Sequence, residues 1–69
     1  DLFQKLRAWR TETAREQGVP VYVVFPDATL RALAEARPRT LEELDSIRGI
    51  GQKKREVYGP AVLSLIAEP

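Results

Sequence analysis

Apolar residues recur at Leu2, Phe3, Leu6, Trp9 and Ala14, close to the i, i+3, i+4, i+7 spacing that gives a helix one face to bury. The spacing predicts a first helix over residues 1–17. Gly18 and Pro20 end it, the glycine as a stop signal and the proline by lacking a backbone N–H. Residues 19–25 read Val-Pro-Val-Tyr-Val-Val-Phe, a β-branched and aromatic run that in isolation suggests a buried strand. No second run of this kind exists to pair with it, and a lone strand leaves its backbone donors and acceptors unsatisfied. The expectation is an extended, partly buried connector in which a short turn is the most regular structure.

Pro26 or Asp27 opens the next helix, whose apolar face is Leu30, Leu33 and Ala34 and which stops before Pro38. Thr40 followed three residues later by Glu43 fits a capping box, so a short third helix starts there and buries Leu41, Leu44 and Ile47. Gly49-Ile50-Gly51 is a tight interhelical hairpin, with both glycines able to take positive φ and Ile50 able to drop into the core. A fourth helix is expected over residues 52–58, a break at Gly59-Pro60, and a fifth helix with Pro60 in its first turn, docked through Val62, Leu63, Leu65 and Ile66. The expected core is Leu6, Trp9, Leu30, Leu33, Leu44, Ile47, Ile50, Leu63 and Ile66. With no repeat, linker or low-complexity segment, the fold expectation is all-α: one compact bundle of about five short helices over residues 1–69.

Composition narrows the chemistry. At 69 residues, 43% hydrophobic and 30% charged, the chain suits one small globular domain. Cysteine and histidine are both absent, which removes disulfides, thiolate nucleophiles, Cys/His zinc sites and histidine acid–base catalysis together. The longest apolar run, residues 21–25, is far short of the roughly 20 residues of a membrane span. A soluble, cytoplasmic protein with no membrane partner is the expectation, nucleoid-associated if bacterial. Eleven Lys/Arg against ten Asp/Glu leave a net charge of +1, so any nucleic-acid binding must come from local geometry.

Glu42, Glu43 and Asp45 form an acidic group of the kind that holds divalent ions, yet acids in a first helical turn more simply complement the helix dipole. Ser46, Ser64 and the threonines have no histidine partner, and no phosphate-binding Gly-x-x-x-x-Gly-Lys-Ser/Thr loop is present. No catalytic residues, metal site or cofactor are expected. The segment Leu44-x-x-Ile47-x-Gly49-Ile50-Gly51-x-Lys53-Lys54 is more informative, because glycines let a backbone approach a phosphate and the following helix aims its N–H groups there. It resembles the helix-hairpin-helix motif of sequence-independent DNA binders. The alternative is that Gly49 and Gly51 merely turn the chain while Lys53 and Lys54 are solvated.

The wider pattern is Leu6-Arg7-x-x-Arg10, Val19-Pro20-x-Tyr22-Val23-Val24-Phe25-x-Asp27-x-Thr29-Leu30, Pro38, Leu44, Gly49-Ile50-Gly51 and Tyr58-Gly59. From Leu2 to Ile66 it resembles the HRDC domain, the helicase-and-RNase-D C-terminal module. The resemblance implies a bundle of about five helices appended to a RecQ-family DNA helicase or, less often, to an RNase D-type exonuclease. It also implies a non-enzymatic accessory role, with weak binding of single-stranded or branched DNA that modulates the helicase core of the same polypeptide. Tyr22 matches the aromatic that contacts single strands in bacterial members. Lys5, Arg7, Arg10, Arg48, Lys53, Lys54 and Arg55 are the candidates for a phosphate-facing patch, with Gly49 and Gly51 giving close backbone approach.

Other roles remain open for several of these residues. Tyr22 stands either as an exposed base-stacker or as a packed core aromatic. Trp9 lies on the apolar stripe of the first helix and belongs to the core. Arg7 or Arg10 is placed to form a structural ion pair with Asp27. The mixed charge also suits a second function, a module that docks on its own motor, on a second copy or on a partner protein.

Overall fold

The computed structural model describes residues 1–69 and contains five helices and no strand. The first, α1 (Leu2–Gln17), begins where the Asp1 side chain accepts a hydrogen bond from the Gln4 N–H at 2.9 Å. It ends at Gly18, whose φ of 68° is the left-handed cap. There the Gly18 N–H donates to the Arg15 carbonyl at 3.2 Å and the Val19 N–H to the Ala14 carbonyl at 3.0 Å, which satisfies carbonyls the helix end would leave free.

The valine run is a single helical turn, α2 (Val21–Val24), rather than the extended connector expected from sequence. The Val23 N–H donates to the Pro20 carbonyl at 3.0 Å and the Phe25 N–H to the Val21 carbonyl at 3.3 Å. A turn closes its own backbone bonds, which a strand without a partner cannot do, and this outweighs the β propensity of the valines. It also sorts the side chains: Val24 and Phe25 are fully buried, whereas Val21, Tyr22 and Val23 face outward.

Helix α3 (Asp27–Ala36) follows Pro26 and ends at Arg37, whose φ of 48° is left-handed. After the buried Pro38 comes α4 (Leu41–Leu44). Half of the expected capping box is present, with the Thr40 hydroxyl accepting from the Glu43 N–H at 3.1 Å. The reciprocal bond is displaced by one residue: Glu43 Oε1 accepts from the Arg39 N–H at 2.7 Å. Leu41 is 43% exposed, contrary to the expectation that it lines the core.

The expected break at Gly59-Pro60 does not occur. Residues 52–58 and the stretch after Pro60 form one helix, α5 (Gln52–Ala67), so the count of five is reached through α2 instead. Proline removes one intrahelical bond, the one to the carbonyl of Glu56, an exposed residue. The buried Gly59 allows close approach to α4, because a Cβ there would stand 2.8 Å from Leu41 Cδ2 and 3.3 Å from Leu44 Cδ1. Packing through Gly59, Val62 and Ile66 on either side of Pro60 outweighs the local cost. The core is Leu6, Val24, Phe25, Leu30, Leu33, Leu44 and Val62, with Leu2, Ala14, Ile47 and Ile66 at its edge. Trp9, Ile50 and Leu63, expected inside, are only half-buried against it. No helix is long and apolar enough to cross a membrane.

Arg10 interlocks the first three helices. Only 5% exposed, it donates from Nη1 to the Phe25 carbonyl at 2.8 Å and pairs through Nη2 with Asp27 Oδ1 at 2.8 Å. The guanidinium thus joins α1 to the residue that caps the end of α2 and to the first residue of α3. The hydrogen bond and charge of Arg10 hold the Asp27 carboxyl below the usual carboxylate range, with smaller contributions from Arg31 and Arg7.

Gly49 has φ of 93°, and a Cβ there would collide with Thr29 Oγ1, whereas Gly51 has no neighbour within 4 Å and a φ of −88°. Positive φ and overpacking together should make Gly49→Ala cost about 2–4 kcal/mol. Gly51→Ala should cost about 1 kcal/mol or less, and thermal melts of the two variants read the difference directly. Because the Asp27 pKa is lower folded than unfolded, its contribution is complete above the unfolded value of about 3.9 and is lost as pH falls through the folded value. The melting temperature of Asp27→Asn should lie below that of the parent near neutral pH, and the gap should close as acid protonates Asp27 in the folded protein.

Candidate nucleic-acid interface

Helix α2 projects Tyr22, 67% exposed, from a turn whose other face is anchored in the core. Its hydroxyl bonds to no other residue, so it is not a packed core aromatic. Beneath the turn, the Phe25 ring lies 6.0 Å from Trp9 and 5.5 Å from Tyr58, with Trp9 and Tyr58 5.6 Å apart and nearly perpendicular. Edge-to-face contacts of this kind add stabilisation beyond the buried area. The Tyr58 hydroxyl accepts from Gln17 Nε2 at 2.8 Å, fixing α5 to the end of α1. Lys54 Nζ sits 5.4 Å from the centre of the Phe25 ring, close enough for a cation–π contact.

The hairpin is held from below by Thr29, whose Oγ1 donates to the Arg48 carbonyl at 3.0 Å. Gly49 takes the left-handed conformation that lets the chain turn over that threonine. Gly51, expected to be equally able to need positive φ, instead caps α5 in extended geometry without a side-chain hydrogen bond. The N–H groups of Gln52, Lys53 and Lys54 therefore have no acceptor in the chain. They form the positive end of a 16-residue helix. Arg48 and Lys53 stand beside it, exposed and without a carboxylate partner.

Six of the residues singled out from sequence thus gather at one place: Arg48, Gly49, Gly51, Lys53, Lys54 and Arg55. Their availability differs, since Arg55 is paired with Asp45 at 3.0 Å and Lys54 leans on Phe25. Tyr22 is tied to this group through two links, Phe25 beneath Lys54 and Thr29 beneath Arg48. The α1 residues stand apart. Lys5 reaches Glu68 at 3.6 Å and the Pro69 carbonyl at 3.4 Å, at the far end of α5 and roughly 20 Å from its start at 1.5 Å per residue. Arg10 is internal and cannot face a phosphate, and it is the residue that takes Asp27. Arg7 is exposed and faces the same carboxylate from α1.

Sequence reading overlooked Arg31, which sits 5.9 Å from the centre of the Phe3 ring and adds to the positive field on Asp27. Its signal was the i, i+4 spacing from Asp27 on one helix. The acidic group is absorbed locally, with Glu43 closing the start of α4 and Asp45 holding Arg55.

Residues 1–66 match the family model of the HRDC domain. The ATP-dependent DNA helicase UvrD2 of Mycobacterium tuberculosis is 50% identical over 66 residues, covering 96% of this chain and 9% of the helicase. RecQ of Bacillus subtilis is 47% identical over 66 residues, covering 96% of this chain and 11% of that helicase. The chain therefore spans about a tenth of the length of these curated relatives. Among solved structures, D. radiodurans RecQ HRDC domain 3 superposes with a TM-score of 0.91 at 47% identity, covering 96% of this chain and 87% of that one. Fold, hairpin and matched span agree: the chain belongs to the HRDC domain family, small accessory domains without a catalytic centre of their own.

Proposed function

We propose that this domain serves a DNA helicase, of which it is one part, by holding single-stranded or branched DNA weakly and without base preference. The observation that carries the reading is Tyr22, an exposed aromatic on a turn made rigid by Val24, Phe25 and Arg10. Stacking on such a ring tolerates any base, because every base offers a π-face. Backbone phosphates would meet Arg48, Lys53 and the open N–H groups of α5, with Lys54 between them and the aromatic turn. RecQ and UvrD2, the relatives above, are named as DNA helicases, which supports this choice of partner.

Charge sets the strength. Of the eleven basic side chains, Lys5, Arg10, Arg15 and Arg55 are ion-paired, so few cations remain on any one face. Three or four neutralised phosphates give a slope of log K against log salt of roughly −2 to −3 at about −0.7 each. A second reading rests on Val21 and Val23, exposed on either side of Tyr22. An aromatic flanked by two valines is also what a docking surface for the helicase core offers.

Titration of labelled single strands across a range of salt separates the two. For DNA binding, Tyr22→Ala should lower affinity by about 1–3 kcal/mol, roughly 5- to 150-fold, with the melt nearly unchanged. Lys53→Ala should flatten the salt slope by a fraction of a unit. No binding at low salt, or a Tyr22→Ala variant that binds as the parent does, would transfer the surface to the docking reading.

A further inference from the structure

Away from Tyr22 and the hairpin, a cavity of about 140 Å³ opens between the α3–α4 connection and the end of α5, lined by Arg37, Pro38, Arg39, Leu63, Ile66 and Ala67. A second, of about 280 Å³, shares Arg37 and Ile66 with it but is also lined by Asp1 and Glu68, whose carboxylates disfavour an anionic ligand there. The first cavity has an apolar floor and two guanidinium groups at its rim, and its lining contains no carboxylate. Neither Arg37 nor Arg39 is ion-paired anywhere in the chain. Besides Arg37, the second cavity holds one cation, Lys5, already taken by Glu68.

Arg37 supplies an independent observation. It is the one non-glycine residue with positive φ, and it sits at the C-cap of α3, where its N–H donates to the Leu33 carbonyl at 3.0 Å. Glycine is the residue that fills this position without steric cost. A β-carbon in the left-handed region is destabilising, so the fold does not call for arginine here. Backbone strain of this kind collects where a side chain is used for something else.

We propose that the first cavity is a docking site for an acidic peptide segment of a partner protein, seating one large apolar side chain over Leu63 and Ile66 while neighbouring carboxylates pair with Arg37 and Arg39. The volume is below the roughly 300 Å³ of small-molecule sites and suits a single anchoring side chain. The charge pattern, two forked donors at the rim of an apolar floor, complements a carboxylate beside an aliphatic or aromatic residue. A nucleic-acid strand fits less well, since the lining has no aromatic on which a base could stack.

The test uses the 69-residue chain and fluorescence anisotropy with a short labelled peptide built around Glu-Glu-Leu, against a Lys-Lys-Leu control and a thymidine oligonucleotide. The acidic peptide should bind, the basic one should not, and added salt should weaken binding. Arg37→Gly should lower peptide affinity about tenfold to a hundredfold, the loss of one charge-assisted contact. The same change should leave the melting temperature unchanged or raised, because glycine relieves the strained cap. Arg39→Gln should weaken the peptide in the same direction, and Tyr22→Ala should not affect it. Equal binding of both peptides, or full affinity retained in Arg37→Gly, overturns the proposal. Loss of oligonucleotide rather than peptide binding in that variant overturns it in favour of a nucleic-acid face.

Discussion

A single buried guanidinium sets the geometry on which the rest of this domain depends. Arg10 projects from the middle of α1 into the joint between α2 and α3, where it binds the Phe25 carbonyl and the Asp27 carboxylate at once. A charge this deeply buried is costly unless it is paired and hydrogen-bonded. The two acceptors offset part of that cost, since Arg10 Nε stays buried without a partner, and Pro26 spans them in extended geometry, with ψ of 163°. The arginine therefore contributes more to specificity than to net stability, selecting the arrangement of three helices in which both of its bonds are made.

That arrangement fixes everything downstream. With Phe25 clamped, its ring becomes the surface on which Trp9, Tyr58 and Lys54 meet, so the start of α5 is positioned by the end of α2. With Asp27 clamped, the first turn of α3 places Thr29 under the Arg48 carbonyl, and the hairpin must turn above it through a glycine. The candidate interface is thus assembled from segments distant in sequence by two contacts that both trace back to residues 25–29. Tyr22 itself needs no partner. Its exposure follows from a turn too short to bury more than one side.

Local signals explain what could be read in advance. Gly18, Pro26 and Thr40 act through bonds to residues within a few positions, and each sits at the helix boundary that its chemistry implies. The departures all involve tertiary contacts. Gly59-Pro60 looks like a stop because propensity counts the missing N–H and ignores α4, against which a side-chain-free position is needed. The valine run looks extended because its composition is that of a strand, yet it is closed into a turn by its own carbonyls and pinned by an arginine 15 residues away. Arg10 could be anticipated as a partner of Asp27, but the choice between it and Arg7 depended on which face of α1 points inward. The patch was legible as a set of basic residues. Which of them stay free was not, because pairing of Lys5 with Glu68 and Arg55 with Asp45 spans positions that no local pattern connects.

The distribution of those pairings bears on how such a domain could work inside a longer chain. Its net charge of +1 gives little long-range attraction to a polyanion, and at physiological salt the remaining cations act over only about 8 Å. Association with a strand would then depend on proximity that the rest of the polypeptide provides. When a module is tethered beside a bound strand, effective concentrations reach the millimolar range, so a contact too weak to hold DNA alone is still occupied for much of the time. Weak binding is also quickly released, and a tethered contact that lets go readily can follow a moving strand where a tight one would arrest it. Under the proposed role, an aromatic on an anchored turn beside a sparsely charged hairpin would meet both requirements, since the backbone that carries the ring is held in place and few counterions would be displaced on binding.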